Sequence, residues 1–136
     1  MSELTALTWD EVIPRENGEV QLAVIGKGDK PRHVLLPADV ASRLLALRGS
    51  AKANTNVFGI KEREINYLIK RTARRAGVNE AASAHWFRHA HASHAIDNGA
   101  PITLVSQTLG HADLKTTSVY AHARPNESSS RFLVRR

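Results

Sequence analysis

The chain has 136 residues and a formal net charge of +6, with 19 Lys and Arg against 13 Asp and Glu. This length suits one domain with a hydrophobic core. The absence of cysteine excludes disulfides and thiolate chemistry. No apolar run reaches the roughly 20 residues of a membrane-spanning helix, and no signal peptide is evident. We therefore expect a cytoplasmic protein whose positive charge favours a polyanionic partner such as nucleic acid.

The N-terminal part of the sequence predicts a short helix and a small sheet. Residues 2–7 have the pattern of a helix end. Alternating apolar residues over 20–24 and a second apolar run over 34–36 predict two strands. The turn-rich segment 26–30 between them predicts a hairpin tip, and residues 9–13 predict a third strand.

The rest of the sequence predicts helices separated by glycine. Apolar spacing and helix-ending glycines place these helices over 37–47, 62–76, 85–97, 101–109 and 113–120. A polar linker follows from about residue 124. The elements together predict an α+β fold that is mostly α-helical, with a small three-stranded antiparallel sheet near the N-terminus.

A set of reactive side chains stands in three short motifs. His85 and Arg88 are three residues apart on a predicted helix, so they project from the same face. His111 follows a Leu-Gly pair, and Tyr120 comes nine residues later. Breaking a phosphodiester without a metal needs a nucleophile, cations on the phosphate oxygens and an acid for the leaving oxygen. Tyr120, Arg88 and Lys27, at the glycine-flanked hairpin tip, have the chemistry for these roles.

In this combination the sequence resembles the C-terminal catalytic domain of tyrosine recombinases, the phage integrase and Xer-type family. That family carries a His-x-x-Arg motif, matched by His85 and Arg88. It carries Leu-Gly-His with a nucleophile nine residues later, matched by His111 and Tyr120. It also carries Gly-Lys-Gly-x-Lys-x-Arg on a β-hairpin, matched over residues 26–32. Each motif alone is weak, whereas the ordered set with these spacings is specific.

The resemblance implies site-specific DNA recombination through a 3′-phosphotyrosine intermediate. Tyr120 would attack the scissile phosphate and Arg88 would stabilise the pentacovalent phosphorane. Lys27 would be the general acid, His85 an acid–base partner, and His111 a contact to the phosphate or leaving group. The bond energy is conserved in the phosphotyrosine, so the resemblance implies neither a metal nor another cofactor.

The implied partner is double-stranded DNA, and the implied assembly is a homo-oligomer, a tetramer on DNA. Monomer and tetramer both stay open for the free protein. The enzyme would act at the nucleoid in the cytoplasm. A cluster of cations near the end of one predicted helix is open to two interpretations, phosphate contact or a solvated face that complements the helix dipole. The DNA-binding candidates are Lys30, Arg32, Arg71, Arg74, Arg75 and Lys115.

The sequence departs from the family pattern at its first residues. Family members carry a catalytic arginine in Gly-Leu-Arg-x-Ser-Glu-Leu, and the matching piece here begins Met1-Ser2-Glu3-Leu4. The arginine would immediately precede Met1. We therefore expect residues 1–125 to be a catalytic domain truncated at its N-terminus, without that arginine or the family's core-binding domain, and residues 126–136 to be a C-terminal tail. Losing one preorganised donor costs on the order of a hundredfold in rate, so this chain alone should be weak or inactive.

Other interpretations remain open. Residues 101–120 resemble two short helices around a glycine turn, as in a non-catalytic helix-turn-helix DNA-binding protein. A type IB topoisomerase or an inactive integrase remnant are further alternatives. The spacing of His85 and His89 lacks the rest of a zinc motif, so no metal site is predicted. Trp86 and Phe87 are interpreted as core residues rather than as base-stacking groups.

Overall fold

The computed structural model describes residues 1–26 and 28–111. Within them the chain forms five α-helices, a short 3₁₀ turn and one three-stranded antiparallel sheet, which confirms a mostly helical α+β fold. The helices are α1 Ser2–Ala6, α2 Ala38–Ala46, α3 Glu62–Arg75, α4 Ala84–Asp97 and α5 Ile102–Leu109. The strands are β1 Val12–Pro14, β2 Val20–Ile25 and β3 Pro31–Leu36. No helix in these described ranges has the length and apolar character needed to cross a membrane.

The chain divides into two compact units, Met1–Trp86 and Phe87–Arg136, and the boundary between them falls within α4. The predicted helices over 37–47, 62–76, 85–97 and 101–109 are confirmed, each with ends within about two residues of the prediction. The predicted last helix, 113–120, and the tail lie outside the described residues.

The sheet of the first unit is a meander of strands in the order β1-β2-β3. Strand β2 pairs with β3 from Val20 opposite Leu36 to Ile25 opposite Pro31, which confirms the predicted hairpin. The residues of β3 alternate between exposed and partly buried, as expected for a strand with one face on a core. This alternation places Arg32 on the same, inner face as Val34 and Leu36.

The predicted strand over residues 9–13 is partly wrong. Trp9–Glu11 forms a 3₁₀ turn, and the strand begins only at Val12. A capping box explains the turn, because the Thr8 amide donates to the Glu11 carboxylate at 2.9 Å and the Thr8 side chain also bonds that carboxylate. The Trp9 amide donates instead to the Thr55 carbonyl at 3.1 Å, so this segment bonds a loop rather than a neighbouring strand.

Each unit has its own hydrophobic core. In the first unit, the core joins the sheet, α2 and the segment around Val57, and Trp9 is 2% exposed at its centre. The Arg48 guanidinium lies 5.7 Å from the centroid of the Trp9 ring. In the second unit, Ala92 of α4 packs with Val105 and Leu109 of α5.

The interpretation of Trp86 and Phe87 as core residues is wrong. Their side chains are 48% and 61% exposed, respectively. Small residues make the buried face of α4 instead, with Ala92 fully buried and Ala95 and Ile96 packed beside it. Small side chains let two helices approach closely, which leaves no room for an aromatic ring on that face.

Candidate active site

Helix α4 carries both members of the His-x-x-Arg motif. It begins at Ala84, where the Trp86 amide donates to the Ser83 carbonyl at 3.0 Å, so His85 lies in its first turn. His85 is exposed, whereas Arg88 is partly buried. The helix therefore fixes the backbone positions of a tunable acid–base group and a permanent cation three residues apart.

The guanidinium of Arg88 is held by the end of the neighbouring helix. Its Nη2 donates a hydrogen bond to the carbonyl of Leu109, the last residue of α5. The last carbonyls of a helix lack intrahelical partners and carry the negative end of the helix dipole, so a cation is favoured there. This contact fixes the direction of a planar fork of donors that suits the oxygens of a phosphate.

A left-handed glycine places His111 beside this arginine. Gly110 ends α5 with φ 70° and ψ 31°. The amide of His111 then donates to the Ser106 carbonyl at 3.0 Å, which turns the chain back over the end of the helix. The Leu-Gly-His motif thus supplies the carbonyl that holds Arg88, the turn, and the imidazole.

The environment of His111 disfavours its charged form. Burial lowers the pKa of the imidazole below its usual value, and the positive charge of Arg88 lowers it further. The ring is therefore neutral over a wider range of pH than an exposed histidine. A neutral imidazole has one donor and one acceptor nitrogen, and so can either give a hydrogen bond to a phosphate oxygen or accept a proton.

The hairpin of the first unit carries other residues that the sequence predicts for the site. The amide of Gly26 donates to the Lys30 carbonyl at 3.1 Å and closes the loop, and Gly28 and Asp29 have φ of 80° and 54°. Lys27 itself lies outside the described residues. Lys30 is exposed, as a residue that contacts a phosphate backbone must be.

Arg32 occupies a different environment from Lys30. It forms a bidentate ion pair with Glu3 of α1, with Nη1–Oε1 at 2.6 Å and Nη2–Oε2 at 2.7 Å. Its side chain is 17% exposed. The proposed DNA contact by Arg32 stays a prediction, and the pairing favours a role inside the protein.

The cations of α3 lie at the surface of the first unit. Arg71, Arg74 and Arg75 are all exposed near the C-terminal end of the helix. Arg74 bonds Glu80 through two nitrogens, at 3.0 and 2.8 Å, which raises the pKa of Arg74 and lowers that of Glu80. The proposed contact of these three arginines with DNA stays a prediction. So does that of Lys115, which lies outside the described residues.

The structure thus brings Arg88 and His111 together and leaves the role of each a prediction. Tyr120 lies outside the described residues. Within those residues, no group of three or more His, Cys, Asp or Glu is arranged to hold a metal ion. Sequence reasoning missed the Leu109 carbonyl and Glu3. The glycine after Leu109 was a signal for the first, whereas nothing in the sequence links Glu3 to a residue 29 positions away.

Comparison with known proteins decides the family. The model of the phage integrase family matches residues 1–127. The chain belongs to the phage integrase family. Among curated members, this integrase-family chain is 36% identical over 135 residues to tyrosine recombinase XerD of Ralstonia nicotianae, covering 90% of the chain and 43% of that protein. It is 33% identical over 130 residues to tyrosine recombinase XerC of Xanthomonas axonopodis pv. citri, covering 90% and 42%.

Solved structures agree with this assignment. The integrase-family chain superposes on XerH site-specific recombinase, crystallised with its difH substrate in a pre-cleavage complex, with a TM-score of 0.73 and 25% identity. That match covers 97% of this chain and 40% of the other. XerA recombinase gives a TM-score of 0.70 at 26% identity, with 96% and 49% covered. The chain therefore spans less than half the length of each of these relatives.

Proposed function

We propose that this integrase-family chain carries out the strand cleavage and rejoining of site-specific DNA recombination, for integration or excision. The observation that carries the proposal is the fixed guanidinium of Arg88 at the end of α5, with the partly buried His111 beside it. The family assignment and the relatives named as tyrosine recombinases support it. Double-stranded DNA is the proposed substrate, and the similar XerH site-specific recombinase was crystallised bound to its difH substrate.

The proposed reaction conserves the number of phosphoester bonds. The Tyr120 oxygen attacks the scissile phosphorus, and its proton passes to a nearby base, for which His85 is the candidate. The bond from phosphorus to the 5′ oxygen breaks, and Lys27 donates the proton that completes the 5′-hydroxyl. Arg88 and His111 stabilise the negative charge on the phosphate oxygens in the transition state. Rejoining reverses these steps with a 5′-hydroxyl from the partner strand.

The proposed assembly on DNA is a homo-oligomer, with four copies exchanging strands of two duplexes near the nucleoid. The proposed phosphate contacts in the described part of the chain are the exposed Lys30, Arg71, Arg74 and Arg75 and the partly buried Arg32. Such contacts give no sequence information, so the choice of recombination site rests on other groups. The proposed catalytic domain is residues 1–125, followed by the tail.

The test is covalent capture on nicked suicide duplexes with randomised half-sites. The chain, a version preceded by a segment ending in Gly-Leu-Arg, and Tyr120→Phe in each are mixed with the duplexes and analysed for adducts that resist SDS. We expect an adduct that Tyr120→Phe abolishes, and a stronger one from the version with the added arginine. Binding without any adduct would refute cleavage and favour a helix-turn-helix DNA-binding protein. Absence of both binding and adduct would favour an inactive remnant.

A further inference from the structure

The ion pair between Glu3 and Arg32 lies against the backbone of the hairpin loop. A Cβ atom added to Gly26 would be 3.0 Å from Nη1 of Arg32 and 3.2 Å from Oε1 of Glu3. Both distances are shorter than ordinary van der Waals contact. The pair therefore packs directly on the Cα of Gly26, the residue at which the loop leaves β2.

Space, rather than backbone conformation, accounts for glycine at this position. Gly28 has φ 80°, a region that favours glycine, whereas Gly26 lies outside that region. Any L-residue could adopt the φ of Gly26, but its Cβ would press on the ion pair, which would have to shift by a few tenths of an ångström. The glycine and the pair thus depend on each other.

The surroundings of the pair explain why it holds one geometry. Arg32 is on the inner face of β3 and its side chain is only 17% exposed, while that of Glu3 is 33% exposed. The fork of the guanidinium matches both carboxylate oxygens, which fixes orientation as well as distance. By contrast, the side chains of the equally bidentate pair of Arg74 and Glu80 are 71% and 55% exposed.

The pair also links helix α1 to the sheet. Helix α1 has no buried residue, and its Glu3 reaches β3 through Arg32. At the other end, the Gly26 amide donates to the Lys30 carbonyl, which lies 3.6 Å from the added Cβ position. The ion pair therefore packs on Gly26, where the loop of residues 26–30 begins, and Gly26 in turn is hydrogen-bonded to Lys30, where the loop ends.

We propose that Arg32, paired with Glu3 and packed on Gly26, is a positioning residue that sets where the hairpin loop leaves the sheet, and so supports the proton donation proposed for Lys27. This inference rests on the proposed function of Lys27, which directly follows Gly26 in the sequence. This ion pair, called the lock below, acts on protonation of the 5′ oxygen and leaves the attack by Tyr120 unaffected. It assigns to Arg32 a role distinct from contact with DNA.

The experiment compares two suicide duplexes that differ in the leaving atom, oxygen or a bridging 5′ sulfur. A thiolate leaves without a proton, whereas an alkoxide needs the acid. The variants Glu3→Gln, Arg32→Lys and Gly26→Ala are made in whichever version of the chain forms the adduct. We expect each to slow cleavage of the oxygen duplex by about 10- to 100-fold, since general acids contribute on the order of 10²–10⁴-fold. Cleavage of the sulfur duplex should change by less than about threefold, because no acid is needed.

The matched control is Glu19→Gln, which removes the same charge at the other end of β2, where Glu19 accepts a hydrogen bond from Asn17. It should leave both duplexes unaffected. Removing a negative charge at Glu3 or at Glu19 favours DNA binding, so a loss of cleavage specific to Glu3→Gln is not a loss of affinity. Equal slowing of both duplexes, or no slowing of either, would overturn the inference.

Amide hydrogen exchange gives a measurement that is independent of activity. In Glu3→Gln we expect the Gly26 amide to exchange at least about tenfold faster, while amides in the middle of the β2–β3 ladder are unchanged. Unchanged exchange at Gly26 would overturn the lock. If the parent chain cleaves neither duplex, the proposed function has failed, and the exchange measurement alone decides whether the lock exists.

Discussion

Replacing Gly110 with alanine tests the geometry that joins Arg88 to His111. Gly110 has φ 70° and stands between the carbonyl that accepts from Arg88 and the backbone of His111. Gly99, which follows α4 in the same unit, has φ 84° and open space around its missing side chain. Gly110→Ala and Gly99→Ala therefore introduce the same kind of strain, but only the first does so beside Arg88.

The expected cost in stability is similar for the two variants. An L-residue in the left-handed region costs about 1–2 kcal/mol relative to glycine. For a chain of this size this lowers Tm by roughly 3–7 °C, which thermal unfolding monitored by circular dichroism can resolve.

The expected cost in cleavage differs between them. Relief of the strain at residue 110 rotates the peptide groups on either side, which displaces the Leu109 carbonyl and the imidazole of His111. A displacement of about 1 Å at a positioned group can cost up to roughly a hundredfold in rate. We expect Gly110→Ala to slow adduct formation about 10- to 100-fold, and Gly99→Ala to leave the rate within about twofold once both are assayed well below Tm.

The comparison of the two variants can refute this reasoning. If they lose the same fraction of cleavage, Gly110 acts through stability alone. If Gly110→Ala keeps full activity, the contact between Arg88 and Leu109 does not set the geometry of the reaction. A drop in Tm for Gly99→Ala without one for Gly110→Ala would contradict the left-handed turn itself.

Three further predictions follow from the described residues. Burial and Arg88 lower the pKa of His111 in the folded chain. As the pH falls through about 6.5, the imidazole of His111 is therefore protonated in the unfolded chain before it is protonated in the folded one. Stability present above that pH is lost below it, so Tm should fall more between about pH 7.5 and 5.5 for the parent than for His111→Gln; equal losses would contradict the shift. Trp9→Ala should cost about 3–5 kcal/mol in urea unfolding, since Trp9 is 2% exposed, and a cost below about 1 kcal/mol would argue against its central place in the core. If Arg71 and Arg75 contact phosphates, changing both to alanine should reduce the slope of log affinity for DNA against log salt by about 2, and an unchanged slope would assign them to a solvated face.

The sequence by itself determined the helices, the hairpin and the family of this protein. Helical spacing, the alternation in β2 and β3 and the glycines after helices α2 to α5 are local signals, because they report backbone preferences and the period of one element. The motifs around Arg88 and His111 were equally visible, since the family pattern preserves short spacings. The segment around Trp9 was misread because its amides find partners in a loop more than 40 residues away, at Ala53 and Thr55.

Only the tertiary structure decided how these groups are held. The carbonyl that orients Arg88 lies 21 residues along the chain, and Glu3 lies 29 residues from Arg32. Partners at such separations leave no periodicity in the sequence, so the hairpin motif made Arg32 a candidate for DNA contact, and a place in mid-helix beside alanines made Trp86 one for the core. The structure gives Arg32 an internal partner, as a cation enclosed within the fold requires, and its contact with DNA stays a prediction. It places Trp86 outside the core, because alanines allow α4 and α5 to pack closely and leave the aromatic rings exposed.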